Sequence, residues 1–165
     1  MKSLVFKFVF VLAIILVAGF IFKKYRVAPT IVFQQLTLTD LEKNKVDLQN
    51  FAGKNIFITM WAPWCRDCLV EMPDLQFVKN KLEKDNFVFL AISGFNLEKE
   101  KAYAEKMPFD FTYLHMSEKL KEIGVHAIPT NYIINSKGKI VYEKVGAEAD
   151  WKSEETIEMV RELVK

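Results

Sequence analysis

The chain has two cysteines, Cys65 and Cys68, spaced as C-x-x-C inside Trp64-Cys65-Arg66-Asp67-Cys68. Such a pair can bind a metal, form a structural disulfide, or shuttle electrons as a dithiol. Structural zinc needs four ligands. The two histidines, His115 and His126, have ten residues between them and no second tight pair, so no metal site is expected. A disulfide closing so short a loop would add little stability, and two cysteines are too few to staple a scaffold. Thiol–disulfide exchange is the chemistry that suits them.

Position decides how such a pair works. The near-continuous apolar run Ile56-Phe57-Ile58-Thr59-Met60-Trp61 reads as a strand buried on both faces, ending at Ala62-Pro63. A helix is expected from about Cys65 to about Lys84, bent at Pro73. A thiol at that helix start meets free N–H groups and the positive end of the macrodipole, which favour its thiolate. Cys65 is therefore the expected nucleophile. Cys68, one turn further in and less exposed, is the expected resolving thiol. Glu71 follows Cys68 by three residues, about 60° round the helix, where a partly buried carboxylate can accept or return a proton. The rival reading of Glu71 is a solvated helical glutamate. Trp64 either shields the sulfurs at the surface or simply packs.

The surrounding elements alternate between strand-like and helix-like segments, without repeats or low-complexity tracts. Ile31 to Leu36 and Lys45 to Leu48 read as edge strands about the turn Glu42-Lys43-Asn44, and Phe87 to Ile92 as a second buried strand. Asn96 can cap a helix over Leu97 to Lys106, and Ser117 another to Ile123, closed by Gly124. Thr130 to Ile134 and Lys139 to Glu143 form a hairpin about Ser136-Lys137-Gly138, and Asp150 can cap a last helix to Leu163. This order implies an α/β sandwich around a mixed sheet. His115 and His126 read as surface or packing residues.

Residues 1–28 form a separate segment. An uncharged run from Phe8 to Phe22 lies between Lys2, Lys7 and Lys23, Lys24, Arg26, as in a membrane anchor or a cleaved signal peptide. Fifteen residues rise only ~22 Å, so a span must borrow Leu4 to Phe6 and let Lys7 snorkel. Val17-Ala18-Gly19 is the nearest approach to a cleavage site, and basic residues on both flanks leave orientation open. Val27-Ala28-Pro29-Thr30 reads as a linker to a domain over 29–165. The 165 residues carry 23 Lys and Arg against 21 Asp and Glu. Five of those bases belong to the first segment, leaving 18 against 21, a net of −3. An acidic body argues against nucleic-acid binding.

Trp61-Ala62-Pro63-Trp64-Cys65-Arg66-Asp67-Cys68, with Glu71-Met72-Pro73 behind it, resembles the active site of thioredoxin-like proteins of the TlpA/ResA type. The resemblance extends to Gly124-Val125-His126-Ala127-Ile128-Pro129-Thr130, to Asn135-Ser136-Lys137-Gly138-Lys139-Ile140 and to Gly146, over roughly residues 31 to 165. It implies a central mixed sheet with helices on both faces, with an extra element for which residues 97 to 115 have suitable length. It also implies a cis bond before Pro129 that leaves the Ile128 backbone free for a substrate strand. The implied activity is thiol–disulfide exchange without a cofactor, by a monomer tethered to the bacterial cytoplasmic membrane and facing the periplasm or cell exterior. Protein disulfides, with apocytochrome c as one target, are the implied substrates, and a membrane thiol carrier the implied electron donor. Two departures bear on mechanism. Arg66 and Asp67 stand where the family often has a proline, with opposed effects on a thiolate, and Thr59 stands where thioredoxins proper have a buried aspartate, which shifts any proton relay to Glu71. A disulfide-forming oxidase of the same fold is one alternative. A module holding unfolded clients through apolar surface around Trp64 and Pro129 is another.

Overall fold

Strand β3 (Asn55–Met60) lies inside a seven-stranded sheet, and every residue in it is buried. The computed structural model describes residues 2–147 and 150–165, with side chains from residue 6 onward. Residue 1 and the side chains of residues 2–5, among them Leu4 and Val5 of the lengthened apolar span, lie outside the described residues. The other strands are β1 (Leu38–Thr39), β2 (Lys45–Val46), β4 (Phe87–Ser93), β5 (Thr112–Met116), β6 (Thr130–Ile134) and β7 (Ile140–Val145). Their order is β2-β1-β5-β4-β3-β6-β7. Neighbours β3, β4 and β5 run parallel, while β6 is antiparallel to β3, β7 to β6, and β1 to β5.

Alternation along β3 assigns its residues to two cores. Phe57 faces a cluster built by α2 (Arg66–Lys81) through Cys68, Met72, Leu75 and Val78, and by α4 (Glu154–Leu163) through Ile157 and Val160. Helix α3 (Leu97–Ala104) joins the same face with Tyr103 and Ala104. Ile56, Ile58 and Met60 face the second cluster, with Phe33, Leu48 and Val125. Short 3₁₀ turns, Phe33–Gln35 and Leu48–Phe51, cover that side. Helical layers thus close both faces of a mixed sheet, α on one and 3₁₀ on the other.

Several boundaries differ from the sequence reading. Ile31 to Leu36 is not a strand: Ile31 and Phe33 are buried, and Phe33 sets its ring edge-on to Tyr132 at 5.1 Å. The alternation arises from coil packing onto the sheet, and pairing starts only at Leu38. Ser117 to Ile123 forms no helix. The Val125 N–H donates to Leu120 O and the Gly124 N–H to Lys121 O, a Schellman closure over a single turn. Helix α4 is capped by Ser153, whose hydroxyl accepts from the Thr156 N–H, rather than by Asp150. Residues 150–152 instead turn Trp151 fully into the core. Asn96 caps α3 through the Lys99 N–H, and α2 contains Pro73 but stops three residues short of Lys84.

Preceding the sheet, α1 (Lys2–Arg26) is one helix of 25 residues, exposed from Phe6 to Arg26. Its stretch Phe6–Arg26 is 21 residues, long and apolar enough to cross a membrane by length and composition. That removes the shortfall that a 15-residue span would face. The following coil packs on the domain, with Ala28 and Ile31 buried and the Tyr132 hydroxyl donating to Pro29 O at 3.0 Å.

Candidate active site

The turn from β3 into α2 carries the cysteines. After Met60 the chain runs through buried Trp61 and Ala62, and the Cys65 N–H donates to Ala62 O at 3.0 Å. Cys65 is itself the N-cap of α2, its Sγ accepting from the Cys68 N–H at 3.2 Å. A sulfur thus occupies the place that a Ser or Asp oxygen takes at most helix starts, facing the free N–H groups. Cys65 and Cys68 are joined by a disulfide, 5 % and 2 % exposed respectively. Arg66, Asp67 and Trp64 lie outside, in water, with Trp64 62 % exposed and edge-on to Phe95 at 6.0 Å.

Beneath the sulfurs the core is aromatic. Trp61 lies 4.9 Å from Tyr103 and 5.7 Å from Tyr113, and the Tyr103 hydroxyl donates to Met72 Sδ. Burial pushes the phenols of Tyr103 and Tyr113 up, so both stay neutral.

Glu71 is buried, at 3 % exposure, not the solvated glutamate of the rival reading. One turn beyond Cys68, it takes hydrogen bonds from Trp151 Nε1 at 2.7 Å and from Asn131 Nδ2 at 3.1 Å to each oxygen. Asn131 sits beside Thr59 in the β3–β6 register. The position that could have held a carboxylate therefore holds a neutral pair, and the buried acid projects from the helix instead.

Opposite the cysteine turn, the Ile128–Pro129 peptide bond is cis. Ile128 packs against the cluster containing both cysteines, and its backbone N–H and C=O pair with no other backbone group among the described residues. The loop is pinned on both sides: the Thr130 hydroxyl donates to Ala127 O and the Gly146 N–H to Pro129 O. Ala62, Trp64 and Phe95 face Ile128 across a groove of about 440 Å³.

A second buried acid shapes the neighbouring loop. Glu100 accepts from the N–H groups of Phe95 and Asn96 through Oε1, and its Oε2 lies 2.8 Å from His115 Nδ1. His115 is therefore half-buried and paired rather than a plain surface or packing residue. His126 lines the groove, with its ring 6.0 Å from Tyr25. No metal-binding cluster of His, Cys, Asp and Glu occurs among the described residues.

Sequence reasoning missed Asn131, Trp151, Phe95 and Glu100. The one signal for them was Asn96, whose capping role implied a loop held next to α3.

Comparison with known proteins agrees with this geometry. Residues 30–143 match the AhpC/TSA family. A curated relative, the thiol-disulfide oxidoreductase ResA of Bacillus thuringiensis, is 28% identical over 131 residues, covering 78% of this chain and 72% of its own. Among solved structures, a thioredoxin-like protein from Porphyromonas gingivalis superposes with a TM-score of 0.66 at 28% identity, over 83% of this chain and 94% of its own. A thioredoxin family thiol:disulfide interchange protein from Chlorobium tepidum shares the fold, with a TM-score of 0.64 at 20% identity, over 81% of this chain and 97% of its own.

Proposed function

The chain belongs to the AhpC/TSA family of thioredoxin-like proteins, and from that membership we infer that it is a thiol–disulfide oxidoreductase that reduces protein disulfides. One observation carries the reading: the only two cysteines are bonded to each other at the first turn of α2, with the unpaired Ile128 backbone packed beside them. In the reduced protein the Cys65 thiolate attacks one sulfur of a substrate disulfide. That S–S bond breaks, a mixed disulfide to Cys65 forms, and one substrate thiolate leaves. The Cys68 thiolate then attacks Cys65 Sγ, releasing the second substrate thiolate and closing the Cys65–Cys68 bond. Two electrons pass from protein to substrate. A dithiol carrier in the membrane restores the reduced form.

Within this reading each site residue has a part. The helix start stabilises the Cys65 thiolate. Glu71, held in place by Asn131 and Trp151, takes the proton that the Cys68 thiol gives up as it attacks Cys65 Sγ. Trp64 limits access of water, and the Ile128 backbone at cis-Pro129 pairs with the substrate strand. Residues 1–28 anchor the monomeric domain 29–165 to the outer face of the cytoplasmic membrane, a reading supported by the apolar length of α1.

The test is insulin reduction by the full chain. Wild type should reduce it and Cys65→Ser should remain at background, while Cys68→Ser should accumulate mixed disulfides with cellular partners. Wild-type activity equal to Cys65→Ser would refute catalysis. Direction is read from the midpoint potential: a value near about −270 mV marks a reductant and one near about −120 mV an oxidant.

A further inference from the structure

The groove beside the cysteines has a charge pattern unlike that of the domain around it. Its floor is apolar, formed by Ala62, Phe95, Leu120, Val125 and Ile128, with Trp64 as one wall. Its rim carries Lys119, Lys121 and His126 and no carboxylate. Both lysines are exposed, and neither takes part in an ion pair among the described residues. A third lysine stands close by, Lys99 Nζ lying 5.7 Å over the Phe95 ring.

The acids adjacent in sequence form no ion pair with the lysines of this rim among the described residues. Glu118 accepts from the Thr37 N–H through both carboxylate oxygens, and Glu122 accepts from the Lys119 N–H. Both line a different cavity, with Ile31 and Leu36. The domain as a whole is acidic, with 18 basic against 21 acidic residues once the five bases of the first segment are set aside. A local basic rim on an acidic body orients and selects a charged partner, because complementary charge governs encounter rate and register more than bulk affinity.

We propose that this groove reads the substrate: it docks the segment flanking the reactive cysteine of a disulfide-bonded protein in which an apolar residue is followed by acidic ones. The apolar side chain seats among Trp64, Phe95 and Leu120, and the acidic residues meet Lys119 and Lys121. This rests on the oxidoreductase reading above and adds a substrate class to it. The Ile128 backbone aligns the segment in extended form, so alternate side chains point into the groove.

The experiment uses the full reduced chain in neutral-lipid nanodiscs and three disulfide probes. Two are peptide disulfides whose cysteine is followed by Leu-Glu-Glu or by Leu-Lys-Lys. The third is hydroxyethyl disulfide, small and uncharged. The acidic peptide should react about tenfold faster than the basic one at low salt, and the ratio should shrink as salt screens it. Exchanging Leu for Ser in the acidic peptide should slow it severalfold. In Lys119→Glu/Lys121→Glu the acidic-to-basic ratio should invert, and because it is a ratio it does not depend on the folded fraction. A remote reversal, Lys84→Glu, should leave the ratio as in wild type.

An unchanged ratio in the double variant overturns the proposal, as does a preference abolished by anionic nanodiscs, which would mean that the lysines read the bilayer. A preference lost with rising protein concentration would place a second copy in the groove and also overturn it. No reaction of wild type with hydroxyethyl disulfide would instead refute the oxidoreductase reading beneath it.

Discussion

Replacing Trp151 with Phe tests whether Glu71 is held as a charged, satisfied acid. The indole is fully buried, edge-on to Phe57 at 5.2 Å and to Tyr142 at 5.9 Å, and its Nε1 donates to Glu71 Oε1 at 2.7 Å. Phe keeps an aromatic ring in place, but it removes the donor and leaves a gap. A hydrogen bond to a charged group contributes ~1.5–3 kcal/mol, and the gap costs on the order of 1–2 kcal/mol. The total, roughly 2.5–5 kcal/mol, is a large share of a typical domain's stability. Packing alone could imitate part of that loss, so the decisive number comes from a cycle with Glu71→Gln. The Asn131 Oδ1 atom is buried without a partner, so a flip of the Asn131 amide lets it accept from the new amide, and the fold should tolerate the change. With a neutral partner the indole hydrogen bond is weaker, so Trp151→Phe should cost about 1–1.5 kcal/mol less in the Glu71→Gln background. Urea unfolding of the oxidised full chain in micelles, followed by far-UV circular dichroism, measures all four corners. Coupling below ~0.5 kcal/mol would refute the argument that Trp151 holds a carboxylate.

Burial raises the Tyr103, Tyr113 and Tyr132 phenols above their usual 10.0, so folding favours their neutral form. The stability from this is complete below pH 10 and is lost as the pH climbs further. Tyrosinate absorbance from these three should appear together with loss of near-UV ellipticity, and full ionisation of all five tyrosines in a folded protein would contradict it. Gly94→Ala would place a Cβ 2.3 Å from Glu118 O, a backbone atom that cannot swing away. It should cost ~1–3 kcal/mol in thermal unfolding, and an unchanged Tm would show that this turn yields. Asp110 is held below the usual aspartate range by its hydrogen bonds from Lys79 at 2.6 Å and Gln76 at 2.5 Å. Its contribution is present above the unfolded pKa and lost as the pH falls through the folded one. Because its side chain is 67% exposed, Asp110→Asn should cost only ~0.2–1 kcal/mol at neutral pH. The two proteins should converge in acid, and a difference that persists there would refute the pairing.

The cysteine turn was legible because its determinants are local. An apolar run ending in Ala62-Pro63, followed by a helix-compatible stretch, places Cys65 at the strand-to-helix junction without any distant contact. The same holds for Asn96 as a cap and for the hairpin around Gly138. Where sequence reading went astray, a tertiary demand had overridden a local preference. Asp150 and Ser153 are equally good caps, but α4 starts later because residues 150–152 must first carry Trp151 into the core. Ser117 is a good cap with nothing to begin, since the Schellman closure at Gly124 leaves room for one turn only. The partners of Glu71 lie 60 and 80 residues away, a separation that no periodicity records.

Glu71 and Glu100 show why the charge pattern needed the structure. Each sits on a helix where a glutamate ordinarily faces water, yet they are 3 % and 1 % exposed. A buried carboxylate is tolerable only when its oxygens are occupied. Glu71 takes its donors from β6 and the lead into α4, and Glu100 takes two backbone N–H groups from the Phe95–Asn96 loop and faces His115. Because a carboxylate accepts only, His115 Nδ1 must be the donor in that pair. Each acid thereby ties a helix to a wall of the site, Glu71 behind the cysteines and Glu100 under Phe95. These two acids hold the framework and are hidden from the surface. The acidic balance of the domain therefore includes two acids that do not reach its surface, and at the groove beside Cys65 Lys119 and Lys121 form no ion pair among the described residues, Glu118 accepting from the Thr37 N–H and Glu122 from the Lys119 backbone N–H.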